Sequence, residues 1–305
     1  MDLRQLAALT AVAETGTFSA AATRLHTVQS NVSAHIARLE RVLGATLIDR
    51  AAGRLTEEGE IVLARARRIQ NEIDALVADV VALRHEVSGE VRVGVIGTVA
   101  RWLVPPLHTR LREVHPGVRM VVIDASTTSL APQLSSGSLS LAIVNLPVDD
   151  DDMTVRPLFE EDMIAIVPED SPLFRRRSIT VRDLADAPLL LPPKGTSIRT
   201  IVDQAAAQIG MDLTPWAEID GVRLITSLAF DGLGVAIVPS TAVLKNESGP
   251  WRRVAVEGLP TRQVGVVQRR KGMLSAPARA LLQVLAEVLP RETRHQLGVH
   301  LIREA

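Results

Sequence analysis

The sequence predicts an α+β protein of several domains: a helix-turn-helix head, one long linker helix and a two-lobed α/β body. Three observations carry this. Short, punctuated helical segments fill the first sixty residues, a heptad seam runs from Val62 to Val87, and beyond Ser88-Gly89 apolar strands alternate with helices. At 305 residues the chain is too long for one ordinary core, so two or three domains are expected.

In the head, Leu3, Leu6, Leu9 and Val12 or Ala13 recur at helical spacing until Thr15-Gly16 stops the run. A second short helix is expected over 19–25, with Ser19 as its N-cap ahead of an alanine run. After a break at His26, Thr27 is the N-cap expected for a third helix. There Val32, Ile36, Leu39 and Leu43 form one buried face, and Gly44 closes the helix. Two helices joined by so short a turn, the second polar at its start, describe a helix-turn-helix, although an α-hairpin of any small helical domain fits the same pattern.

The next helix is expected over 57–87. Val62, Ala66, Ile69, Ile73, Leu76, Val80, Leu83 and Val87 step alternately by 4 and 3. That is an a/d seam on a helix of about 45 Å. So narrow a seam is covered most economically by a second copy of itself; the alternative is a long core helix in one globular domain.

In the body, strands are expected at 91–97, 118–124, 139–145, 163–168, 187–192, 234–239 and 262–268. Helices are expected at 101–114, 128–136, 197–209, 222–228 and 276–289. The pattern occurs twice, before and after Pro168, which predicts two α/β lobes with mostly parallel sheets.

Composition narrows the function. Cysteine is absent, which removes disulfides, thiolate nucleophiles, thiol redox sensing and Cys-based zinc sites. No run approaches the roughly 18 apolar residues of a membrane span, and the start, acidic at Asp2, does not read as a signal peptide. A cytoplasmic protein without membrane contact is expected. The net charge is −1, with basic and acidic residues intermixed, so any DNA contact must rest on a local element.

The common hydrolase, nucleotide and zinc-protease motifs are missing and the seven histidines are scattered, so no enzyme is expected. The run from Asp149 to Asp152 lacks EF-hand spacing and is read as a solvated loop. No metal and no cofactor are expected.

With these elements in order, the chain resembles the LysR-type transcriptional regulators. The residues carrying the resemblance are Phe18-Ser19-Ala20-Ala21-Ala22, Leu25, Gln29-Ser30, Ser33, Ile36, Leu39-Glu40, Leu43-Gly44, Leu47, Arg50, Leu55-Thr56 and Gly59. Weaker matches follow at Gly232-Leu233-Gly234-Val235-Ala236 and Pro239.

The resemblance implies a winged helix-turn-helix over 1–60, a linker and dimerisation helix over 57–87, and an effector domain over 90–305. That domain would be akin to periplasmic solute-binding proteins, with lobe I at about 90–165 plus 266–305 and lobe II at about 166–265. Departures are Ala34 where Arg or Lys is common, Ile48 where Phe is common, and a wing about two residues short. The hallmark cysteines of the peroxide-sensing branch cannot exist here, so that subclass is expected to be excluded.

Candidate DNA contacts are Ser19, Thr27, Gln29, Ser30, Asn31, Ser33, Ala34, His35 and Arg38, with Arg50 and Arg54 flanking the wing. Gln29 and Ser33 match family positions that touch DNA, and an amide such as that of Gln29 can pair bidentately with adenine. A dimer would read an inverted repeat in double-stranded DNA. Family habit adds homotetramers, and RNA polymerase is a further partner.

Candidate effector contacts are Thr98, Val99, Ser126, Thr127, Thr128, Asn145, Thr196, Ser197 and Arg199, at strand ends and helix starts. Such groups favour a small anion, commonly a carboxylate; each Ser or Thr could equally cap its own helix. The body alone would also fit a solute-binding protein with no regulatory role.

Overall fold

The computed structural model describes residues 1–50, 52–82, 87–244, 247–270 and 272–302. They form two compact units: residues 1–82 with 135–138 and 272–276, and residues 87–134, 139–270 and 277–302.

The first unit begins with α1 (Leu3–Thr15), α2 (Phe18–Arg24) and α3 (Gln29–Leu43). Two-residue strands β1 (Ile48–Asp49) and β2 (Arg54–Leu55) then pair antiparallel as a tight wing, ahead of α4 (Glu57–Ala82). Asp2 caps α1 in a reciprocal capping box with Gln5, and Gly16, left-handed at φ 77°, ends it.

Two expected caps are corrected. Thr17, not Ser19, caps α2, its hydroxyl accepting from the Ala20 amide, so Ser19 lies inside the helix. Thr27 does not cap α3; Val28 holds that position without a side-chain cap. The cause is the turn: His26 takes a positive φ of 51° and the Thr27 amide bonds back to the Ala22 carbonyl, which delays helix entry. The Thr27 hydroxyl instead accepts from Asn31 Nδ2 at 2.9 Å.

Leu9, Val32, Ile36, Leu39 and Leu47 are fully buried in the core of this unit. Ala66 belongs to that core and Val62 packs against it, so the start of the heptad seam is used within the unit itself. Ile69, Leu76 and Val80 remain exposed, Leu76 by 64%. Leu83 lies outside the described residues, and Val87 stands outside the helix, just ahead of the next strand. Gly59, in the first turn of α4, packs so closely that a Cβ would collide with the Leu47 carbonyl oxygen.

The second unit runs β3 (Ser88–Val95), α5 (Gly97–Val114), β4 (Gly117–Asp124), α6 (Thr127–Ser135), β5 (Leu141–Asn145), β6 (Met153–Glu161), β7 (Met163–Pro168), β8 (Ser178–Thr180) and β9 (Leu189–Leu191). It continues α7 (Ser197–Gln208), β10 (Ala217–Glu218), α8 (Val222–Phe230), β11 (Val235–Pro239), β12 (Trp251–Glu257), β13 (Arg262–Arg269), α9 (Ala276–Thr293) and β14 (Val299–Leu301). One six-stranded sheet has the order β14-β6-β13-β5-β3-β4 and the other β10-β9-β11-β7-β12-β8.

The sheets are mixed rather than mostly parallel, with five parallel and five antiparallel pairings. The chain crosses between them twice, after β6 and after β12. Each crossing inserts a strand antiparallel to its neighbours: β7 between β11 and β12, and β13 between β5 and β6. The expected lobe boundaries at 165/166 and 265/266 fall inside these strands. β7 lies wholly in the second sheet and β13 wholly in the first, so the crossings are at Asp162 and over 258–261.

Residue alternation builds a core on each face of the second sheet. Val235 and Ile237 pack with Val202 of α7, whereas Ala236 and Val238 pack with Ile225 and Ala229 of α8.

Candidate DNA-reading face and effector cavity

On α3 the stripe Val32, Ile36 and Leu39 is fully buried, which turns the remaining residues outward. Gln29, Ser30, Asn31 and Arg38 are exposed, and Ser33, Ala34 and His35 are half-buried beside them. His35 Nδ1 is buried without a hydrogen-bond partner among the described residues. Ser19 is exposed on α2, and Thr27 is half-buried at the turn.

Arg50 is exposed at the wing, its guanidinium 5.8 Å from the centre of the Phe18 ring, and Arg54 is exposed on β2. Among the described residues, Arg38, Arg50 and Arg54 form no ion pair, so their charges are available to an outside anion. Arg24, by contrast, is held 2.6 Å from Glu14.

The second unit contains a cavity of about 370 Å³ between its two sheets. Four helices begin on its wall: α5 at Gly97, α6 at Thr127, α7 at Ser197 and α8 at Val222. Helix starts present unpaired N–H groups and the positive end of the dipole to the cavity.

Of the expected contacts, Thr98, Ser126, Thr127, Thr128, Asn145, Thr196 and Ser197 line the cavity. Some are also structural. The Thr127 hydroxyl accepts from the Asn145 amide at 3.1 Å, and the Thr196 hydroxyl caps α7 while donating to the Pro193 carbonyl.

Two expected contacts are not part of the wall. Val99 is wholly buried in the core. Arg199 is buried and engaged elsewhere, with Nε donating to Asp203 at 2.7 Å and Nη1 to Glu218 at 2.6 Å and the Pro192 carbonyl. Burial alone would lower its pKa, but the two carboxylates outweigh that and raise it, so this guanidinium serves the fold.

The groups missed by sequence reasoning are the charged ones. Arg262 lines the cavity although it is only 2% exposed. Its Nε and Nη2 donate to Glu161 Oε2 at 2.9 and 2.5 Å, Nη1 to Asn145 Oδ1 at 3.0 Å, and Nη2 to Thr98 Oγ1 at 2.7 Å. Glu161, itself fully buried, uses Oε1 to accept the Thr241 amide at 2.7 Å. Its carboxylate therefore joins β6 and β13 of one sheet to the turn after β11 of the other.

The signal for Arg262 was present. It shares a strand face with the buried Val264 and Val266, and a charge at such a position needs a buried partner. Asp124, Asp220 and Arg223 also line the cavity, with Arg223 Nη2 2.8 Å from Asp124 Oδ2.

A head with an outward polar recognition helix, joined in one chain to a two-lobed body around a small-molecule cavity, defines a ligand-responsive DNA-binding protein. Residues 3–60 match the model of the bacterial regulatory helix-turn-helix protein, lysR family, and residues 84–290 match that of the LysR substrate binding domain. The chain belongs to the LysR family of DNA-binding transcriptional regulators.

A probable hydrogen peroxide-inducible genes activator of Streptomyces viridosporus is 30% identical, the match covering 99% of this chain and 97% of that protein. The DNA-binding transcriptional dual regulator OxyR of Escherichia coli K12 is 28% identical over 95% of each. Among solved structures, a full-length OxyR variant from Pseudomonas aeruginosa superposes with a TM-score of 0.78 at 26% identity, covering 100% of this chain and 99% of that one. Full-length CbnR complexed with its target DNA gives 0.69 at 22%, covering 96% and 100%.

These relatives narrow the expected exclusion of the peroxide-sensing branch. The chain is similar to such proteins over nearly its whole length, and what its composition rules out is a cysteine-based switch. These relatives are regulators, and among the described residues no helix is long and apolar enough to cross a membrane.

Proposed function

We propose that the chain binds an inverted-repeat operator as a dimer and that a small acceptor-rich effector in the cavity changes that binding. The observation carrying this is α3: three buried apolar residues fix its orientation, leaving Gln29 and Arg38 exposed, with no ion pair to Arg38 among the described residues.

In this reading Gln29, Ser30, Ser33 and Ala34 meet base edges in the major groove, with Asn31 and His35 beside them. Arg38, Arg50 and Arg54 neutralise phosphates, and Ser19 and Thr27 reach the backbone. Dimers pair through the exposed part of the α4 seam, associate further into tetramers, and contact RNA polymerase from the operator in the cytoplasm. The protein carries out no catalysis and needs no cofactor.

A carboxylate-type group of the effector sits at the four helix starts, among the hydroxyls of Ser126, Thr128 and Ser197. It acts by binding one arrangement of the lobes more tightly than another, which changes the spacing of the DNA-reading heads.

Footprinting on the DNA upstream of the protein's own gene, with and without candidate metabolites and across a salt series, tests the reading. A protected inverted repeat, weakened by salt and altered by a metabolite, is expected. Binding without salt dependence or symmetry overturns it.

A further inference from the structure

Both arginines of the cavity are already engaged. Arg262 is committed to Glu161, Asn145 and Thr98, and Arg223 to Asp124. Asp220, also on the wall, has no ion pair or hydrogen bond among the described residues. With Glu161 behind Arg262, three carboxylates face two guanidiniums, and the unpaired charge is negative.

The helix starts pull the other way, since each offers N–H donors to an acceptor. A plain carboxylate ligand would satisfy them. It would also meet the unpaired charge of Asp220 and, on taking Arg223, would strip Asp124 of its partner. A ligand bearing both a carboxylate and a protonated amine avoids both conflicts, because its ammonium supplies what Asp220 lacks and can replace Arg223 at Asp124. Gly97 leaves space for that exchange: a Cβ there would lie 2.8 Å from Asp124 Oδ1.

We infer that the effector is a zwitterion of the amino-acid class, its carboxylate at the helix starts and its ammonium between Asp220 and Asp124. Because Asp124 ends β4 in one lobe and Arg223 lies on α8 of the other, exchange of this ion pair for the ligand also changes what ties the lobes together. The inference rests on the cavity being the effector site.

The test is ligand binding to the full chain by titration calorimetry, with operator binding measured in parallel. The probes are the standard amino acids, their deaminated acids and their decarboxylated amines. At least one amino acid is expected to bind about tenfold more tightly than either counterpart, the worth of one charge-assisted hydrogen bond. Asp220→Asn should remove most of that preference, and Asp220→Glu should keep it.

Equal or tighter binding of the deaminated acids overturns the inference, as does failure of every amino acid to bind, or a preference untouched by Asp220→Asn. A deaminated acid that shifts operator binding rejects the zwitterion and leaves the cavity as the effector site. An effector response that survives Ser197→Tyr, which places a bulky ring at the start of α7 on the cavity wall, rejects the site itself.

Discussion

Arg262 and Glu161 meet in the interior through two N–H···O contacts at 2.9 and 2.5 Å, while the other oxygen of the same carboxylate takes the Thr241 amide from the opposite lobe. Burying two charges is costly, and the pair is tolerable because every oxygen and most guanidinium N–H groups find partners. Removing the charge of Glu161 leaves Arg262 uncompensated. Glu161→Gln is expected to destabilise the second unit by about 3 kcal/mol. All three tryptophans, Trp102, Trp216 and Trp251, lie in that unit, so the urea transition seen by tryptophan fluorescence reports it. A loss below about 1 kcal/mol would show that the pair contributes little beyond its own desolvation.

Thr98 stands on the cavity side of the same network, its hydroxyl accepting from Arg262 at 2.7 Å. Thr98→Val keeps the shape and strands one buried guanidinium N–H, a cost of about 1–2 kcal/mol. It should also weaken the effector response while leaving operator affinity without effector unchanged. Band-shift titrations with and without effector separate the two, and an unchanged response removes Thr98 from the site.

Gly59 tests the junction of wing and linker helix. Its φ is ordinary for a helix; the constraint is the Leu47 carbonyl, which leaves no room for a Cβ. Gly59→Ala should force the first turn of α4 away from β1 and weaken the head by about 1–3 kcal/mol. DNA binding would fall while the tryptophan-detected transition stays in place. Loss of both together would mean that the damage spreads beyond the first unit.

The exposed seam makes a separate forecast. Ile69, Leu76 and Val80 are exposed, Leu76 the most at 64%, whereas Val62 and Ala66 pack in the head's core. Leu76→Asp therefore costs the single chain little and places charges in the proposed dimer interface. Sedimentation equilibrium should show dimerisation weakened about tenfold or more. A dimer unaffected by Leu76→Asp would put the interface elsewhere.

The seam also shows where periodicity is informative and where it stops. Spacing alone located α4, but it could not tell that Val62 and Ala66 would be taken by the head's own core, because the period is the same for either partner. The start of α7 was read well, with the Thr196 hydroxyl as its cap, whereas the hydroxyl cap of α2 was placed at Ser19 instead of Thr17 and the start of α3 was misjudged at Val28. There the preceding turn, with His26 at positive φ, set the entry point instead of a side chain. The mixed sheets escaped notice because β7 and β13 are apolar runs whose direction depends on where the chain crosses between lobes. The cavity's hydroxyls lay at strand ends, where the alternation of elements points. Its charges did not: Arg262 and Glu161 are 101 residues apart, and only the pairing of β13 with β6 brings them together.

The recognition helix gives the last forecast, in which two exposed residues of α3 should fail differently. Gln29 lies at the first position of the helix with an amide suited to adenine, so its loss should remove sequence information. Gln29→Ala is expected to reduce discrimination between operator and unrelated DNA by about 1–3 kcal/mol. Arg38 lies two and a half turns further along, exposed and, among the described residues, without an ion-pair partner, as a residue that clamps a phosphate would be. Arg38→Ala should weaken binding to all sequences alike and lower the slope of log affinity against log salt by about 0.9 for each phosphate that is no longer neutralised. Competition titrations against nonspecific DNA at several salt concentrations measure both quantities. If Gln29→Ala changed the salt slope and left discrimination intact, the helix would be oriented differently in the groove, and the assignment of base and phosphate partners along α3 would have to be reversed.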